Sequence, residues 1–129
     1  ASCPGCNLFQ GDFSGLERTG LNLSGARVRQ ADISLSVMNR TNFSRSDMRD
    51  VEAYGAVLSS SNFTGADLTN ASFVGTYLEG ATFTGAKLNG TNLSGAEMSR
   101  ARGLSQSQLN QACGDQNTVL PSGLRIPAC

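Results

Sequence analysis

The chain has 129 residues, 39% hydrophobic and 16% charged, with ten basic residues balancing ten acidic ones and no His or Trp. Neutrality argues against a nucleic-acid binder, which carries a basic excess, and against a disordered chain, which carries more net charge. Without His there is no Ser-His-Asp or Cys-His catalysis and the commonest zinc ligand sets are missing, and no apolar run approaches the ~20 residues that cross a bilayer.

Residues 1–5 form an N-terminal cap, reading into Ser2-Cys3-Pro4-Gly5-Cys6. From Cys6 to Arg100 the chain divides into nineteen consecutive pentapeptides without a slip in register, and the repeat region is taken as 6–102. The third position is the strongest column: seventeen of nineteen are Leu, Ile, Val, Met or Phe, including all three Met and five of the six Phe. The exceptions are Arg18 and Ala53. The first position is small except at Leu16 and Leu21, the second favours Asn and Asp, and the fifth is rich in Gly. A period of five fits neither the helix at 3.6 nor the strand at 2. A coiled path that turns a corner every five residues does fit. It points the third and first residues to an axis, faces polar positions to water and uses Gly to ease the turn.

Ala66-Asp67-Leu68, Ala86-Lys87-Leu88 and Thr91-Asn92-Leu93 carry a pattern that resembles the pentapeptide-repeat family, whose signature is A-(D/N)-L-x-x. The resemblance covers about three quarters of the chain. It implies an all-β solenoid: a right-handed quadrilateral β-helix with four pentapeptides per coil, about five coils in all and roughly 24 Å long at the ~4.8 Å spacing of stacked strands. Many members have no assigned role. Some resemble duplex DNA and bind DNA gyrase. A gyrase-binding, DNA-mimic-like role is disfavoured here by the neutral charge and by Arg27, Arg29, Arg40, Arg45 and Arg49 clustering against Asp32 and Asp47.

A 20-residue coil places residue i under i+20. One inward column is then a Phe ladder, Leu23/Phe43/Phe63/Phe83. Arg18 cannot sit unpaired on a dry axis. Leu16 and Leu21 are expected to fill the axis while Arg18 turns outward or toward the end, as a local irregularity or, alternatively, a binding residue. Ala53 leaves a small gap or is compensated by Phe neighbours. Outside, Arg27 under Asp47 and Asp67 under Lys87 form opposite-charge ladders. Arg29 under Arg49, with Arg45 nearby, is either a candidate anion site or a solvated like pair. Leu35, Val37, Tyr54, Val57, Val74 and Tyr77 gather at one outer corner. They are either a contact surface for a partner protein or homodimer, or simply residues of high β-propensity.

Residues 103–129 leave the register. Ser105 with Gln108 three residues on is a capping box, and Gly114 is a stop signal, so a short helix is expected with Leu104, Leu109 and Ala112 inward. The irregular tail contributes Leu120, Leu124 and Ile126 to closing that end. Four Cys allow three pairings. Cys3–Cys6 and Cys113–Cys129 are chosen because the rod separates the two pairs. The C-x-x-C is read as a staple rather than a redox motif, since no strand–helix context follows it. Structural disulfides and the mature-looking Ala-Ser-Cys start suggest a periplasmic or secreted location, with the thylakoid lumen as the alternative, since the family has lumenal members. A filled prism offers no cleft with convergent groups. The expectation is one domain, 1–129, acting as a non-enzymatic structural or protein-interaction module without cofactor or metal. It binds no nucleic acid and does not span a membrane.

Overall fold

The computed structural model describes residues 2–129. Each pentapeptide makes one extended contact and one turn. The second-position residue pairs in parallel with the residue twenty positions on, from Asn7 with Arg27 through to Thr82 with Arg102. Three backbone donors per repeat go to neighbouring coils: Arg27 donates to the Cys6 carbonyl (2.8 Å), Leu8 to Arg27 (2.7 Å) and Gln10 to Arg29 (3.0 Å). The first-position amide closes the turn, as when Ala31 donates to Val28 (3.0 Å).

The turn requires positive φ at its fifth-position residue, as a type II turn does at its third residue. Gly supplies this at most corners, but Gln10, Gln30, Leu35, Arg40, Arg45, Asp50, Ser60 and Asn70 adopt φ of 56–59° as well. The left-handed conformation is thus imposed by the coil rather than chosen by the residue.

One donor per repeat remains, the fourth-position N–H. The second-position side chain accepts it: Asp32 Oδ1 from Ser34 (2.9 Å), Asn42 Oδ1 from Ser44 (2.9 Å), Asn62 Oδ1 from Thr64 (3.0 Å) and Asn92 Oδ1 from Ser94 (3.0 Å). Asn and Asp recur at the second position because their short oxygen reaches a backbone amide two residues on.

The core is the axis. Third-position residues from Val28 to Met98 are fully buried, and first-position Ala, Ser, Thr and Val fill the corners between them. The Phe ladder forms as expected: Phe43 and Phe63 stack at 5.3 Å and Phe63 and Phe83 at 5.1 Å, while Phe73 meets Phe63 edge-on at 5.8 Å. Ala53 is fully buried in the column between Ile33 and Phe73. Arg18 is exposed, and half-buried Leu16 and Leu21 pack against the core on either side of it.

The two ends differ. Both disulfides join the expected partners, with Cα atoms 5.4 Å apart for Cys3–Cys6 and 4.7 Å apart for Cys113–Cys129. The first lies on one side of the N-terminal mouth and leaves it open. Leu8, Phe13, Leu16, Leu21, Ile33 and Phe43 are among the residues lining an apolar cavity of about 290 Å³ there. At the other end, helix α1 (Gln106–Asn110) starts at Ser105 with the expected capping box. It is shorter than the sequence suggests: Gln111, not Gly114, is its C-cap. Beyond it the pairing resumes with longer offsets, Asn92 with Cys113 and Glu97 with Val119. Gly114 is held in this layer, donating to Pro127 (2.8 Å) and accepting from Cys129 (3.0 Å). The Gln108 side chain donates to the carbonyls of Phe83 (2.7 Å) and Ala86 (2.9 Å), and at Ala86 it substitutes for a backbone N–H of a further coil. Leu109 and Ala112 are buried, and Leu104, Leu120, Leu124 and Ile126 pack against the core. No helix among the described residues is long and apolar enough to cross a membrane.

Candidate functional site

Two outer surfaces concentrate the chemistry. The first is the apolar corner. Val37, Val57 and Tyr77 pair successively on adjacent coils. Glu17 precedes this column and Glu97 follows it, so an apolar strip three coils high is bounded by charge. Tyr54 and Val74 occupy the fourth-position column just before the corner, and the Tyr54 carbonyl accepts from the Leu35 amide at 2.8 Å. Leu35, Tyr54 and Tyr77 are 64%, 58% and 55% exposed, so that among the described residues three of the five large hydrophobic side chains left open to solvent belong to this corner. Val37, Val57 and Val74 are half-buried between them.

Leu35 is the unusual member. Its column is otherwise Gly15, Gly55, Gly75 and Gly95, and among the described residues it alone combines a bulky apolar side chain with a left-handed φ, of 57°. For a non-glycine residue this conformation costs roughly 1–2 kcal/mol. The Leu35 side chain lies over Gly55, its Cδ2 2.9 Å from where a Cβ would stand, so a side chain at Gly55 would push this flexible tip aside.

The second surface is an arginine groove of about 420 Å³ lined by Asn7, Phe9, Arg27, Arg29, Asp47 and Arg49. The expected Arg27–Asp47 ladder does not form. Asp47 is instead gripped by Arg49 of its own repeat, with Nε to Oδ1 and Nη2 to Oδ2 both at 2.8 Å. Among the described residues the ion pairs are this one and Arg100–Glu79 at 3.5 Å. Asp67 likewise accepts from Thr69 in its own repeat rather than pairing with Lys87. A ladder partner sits a coil away on a long mobile side chain, whereas the partner two residues on is already oriented by the Asx turn. Exposed pairs are worth too little to overturn that. Arg45 is not among the groove's residues: it lies at another corner, its Cγ 3.3 Å from where a side chain on Gly65 would begin.

These local bonds set the acid response. The Arg49 guanidinium chiefly holds the Asp47 carboxyl below its ordinary range, with Arg29 a minor contributor. Ser14 does the same for Asp12, and Ser99 for Glu97. A carboxyl whose pKa is lowered by folding contributes stability above its unfolded pKa and loses it as pH falls through the folded value. The melting temperature is therefore expected to stay nearly level between about pH 8 and 5 in this His-free chain, then fall from about pH 4 downward. Circular-dichroism melts check this, and an equal melting temperature at about pH 2.5 and 6 contradicts it.

Comparison with known proteins adds the following. The family model for pentapeptide repeats matches residues 22–65, 61–100 and 78–113, with 8 copies. No curated protein matches the sequence significantly. Among solved structures, HetL, a pentapeptide repeat protein involved in heterocyst differentiation regulation from the cyanobacterium Nostoc, is 25% identical with a TM-score of 0.47; the match covers 87% of this chain but only 53% of HetL. A pentapeptide repeat protein of the Arabidopsis thaliana thylakoid lumen is 25% identical, covering 74% of this chain and 73% of that one, with a TM-score of 0.47. QnrB1, a plasmid-mediated fluoroquinolone resistance protein, is 18% identical with a TM-score of 0.52, covering 98% of this chain and 87% of that one. At that identity the likeness speaks to fold alone.

Proposed function

Because the chain belongs to the pentapeptide-repeat family, whose fold is a right-handed quadrilateral β-helix, we propose that it is a non-enzymatic interaction module that binds a protein partner or a second copy of itself through the Leu35–Tyr77 corner. In this reading the rod has about five coils, with α1 and the disulfide-linked tail as its C-terminal cap, and the two disulfides suit a periplasmic or secreted location.

Leu35 carries the proposal. Fold stability favours Gly at this position, as at every other level of its column, yet the chain places a strained, 64% exposed Leu beside Tyr54. Among the described non-glycine residues with a left-handed φ, Leu35 is the one with an apolar side chain, and most of that side chain is left open to solvent, which points to its use in a contact. The surroundings fit a contact patch: a tyrosine-rich apolar centre with a charged rim. β-Propensity accounts for Val37 and Val57, but not for a Leu in a left-handed turn.

The test pairs two variants. Val57→Asp puts a carboxylate in the middle of the strip on an outward side chain. Leu35→Gly removes the anchor and the strain together. Both are expected to keep the wild-type fold, with stability within about 1 kcal/mol, because relief of the turn strain offsets the added flexibility of Gly. Both are expected to abolish association, read as self-association in sedimentation velocity and as captured chains in a cross-linking pull-down from the native compartment. Full retention of association by both variants rejects the corner as the contact surface.

A further inference from the structure

We propose that the arginine groove on the opening coils is a binding site for a tetrahedral oxyanion, a phosphate or sulfate group. The inference is independent of the apolar corner and rests on the fate of each polar group in the groove. Asp47 is the one carboxylate among the lining residues, and both of its oxygens are taken by Arg49. The Asn7 side-chain oxygen is occupied by the Phe9 amide at 3.2 Å, and its NH₂ makes no hydrogen bond among the described residues. Arg27 and Arg29 have no ion-pair partner among the described residues. Arg29 Nε is buried and meets no acceptor.

A buried guanidinium N–H without an acceptor is a costly arrangement. The Arg29 Nη groups make no hydrogen bond among the described residues and are not enclosed, so a ligand oxygen in the groove reaches them directly, and reaches Nε once the side chain turns its fork into the concavity. The groove therefore offers donors from Asn7, Arg27 and Arg29 around one concavity, with its negative charge already neutralised on the Arg49 side. The planar fork of arginine matches the oxygen spacing of phosphate and sulfate, and two such forks two residues apart in one repeat favour a group carrying more than one negative charge. Phe9, 49% exposed, stands one coil from Arg29 in the same column and supplies an apolar wall for whatever the anion is attached to.

Isothermal titration with sodium phosphate, sodium sulfate and phenyl phosphate, at constant ionic strength balanced with chloride, tests the site. The wild type is expected to bind with a stoichiometry of about one, and Arg29→Gln to weaken binding about tenfold or more. Arg45→Gln removes the same charge outside the groove and is expected to leave binding unchanged. Tighter binding of phenyl phosphate identifies an ester whose organic part rests on Phe9; equal binding identifies the free anion. Absence of saturable binding overturns the site. So does an equal loss in Arg29→Gln and Arg45→Gln, which would reduce the effect to net charge.

Discussion

Truncating Phe63 to alanine is expected to cost the fold about 3–5 kcal/mol, the largest effect of any single side chain in the molecule. Phe63 is fully buried and meets three other rings: Phe43 at 5.3 Å and Phe83 at 5.1 Å in parallel stacks, and Phe73 at 5.8 Å edge-on. Removing it leaves a void on the axis that the coils cannot close, because each coil's height is set by backbone hydrogen bonds to the coils above and below. The surrounding rings lose their packing partners as well as their shared burial, since aromatic pairs contribute about 0.5–1.5 kcal/mol beyond area. Removal of Phe9, which lies outside the axial column, is expected to cost far less. Guanidinium unfolding followed by circular dichroism measures the difference. A loss below about 1 kcal/mol for Phe63→Ala would mean that the axis relaxes and that the Phe ladder does not hold the coils together.

Opening the Cys113–Cys129 bridge has the second large effect. The bridge spans 16 residues. In the chain-entropy account a loop of that size contributes about 3 kcal/mol by restricting the unfolded chain. The native contacts it secures join the tail to the last coil. Gly114 pairs with Ala128, Val119 with Glu97, and Thr118 Oγ1 donates to the Leu93 carbonyl at 2.8 Å. The paired change Cys113→Ser with Cys129→Ser is therefore expected to lower the melting temperature and to free the tail from Asp115 onward, with amide protection lost first at Gly114, Val119 and Cys129. Cys3–Cys6 closes a much shorter loop at an end that is already open, so the paired change there is expected to have a smaller effect. If the two paired changes cost the same, the C-terminal bridge is not what holds the tail on the last coil.

Much of this architecture was legible because a period of five in the sequence has one good geometric solution. Large residues recurring at Leu58, Phe63, Leu68 and Phe73 cannot all be inside a helix or a flat strand, and the backbone bonds then fix neighbouring coils twenty residues apart. From that spacing followed the Phe ladder, the displacement of Arg18 by Leu16 and Leu21, and the gathering of Val37, Val57 and Tyr77. The disulfide partners and the Ser105–Gln108 capping box were also legible, since each depends on groups close in sequence or kept apart by the length of the rod.

The remaining features were decided in three dimensions. Asp47 chose Arg49 over Arg27 because an Asx turn had already aimed its carboxylate within the repeat, and surface Coulomb energies of a few tenths of a kcal/mol do not reverse such a local preference. Helix α1 stopped at Asn110 and the chain resumed pairing with the last coil at Cys113, while the Gln108 side chain took the edge carbonyl of Ala86 and shared that of Phe83 with the Ala86 amide. The strain on Leu35 and the unmatched Nε of Arg29 likewise exist only once the coils are stacked. The five-residue pattern in the sequence determined what lies inside, because burial is worth several kcal/mol per repeat and tolerates one register. Tertiary structure decided which outer groups are satisfied, because there the competing arrangements differ by little more than thermal energy.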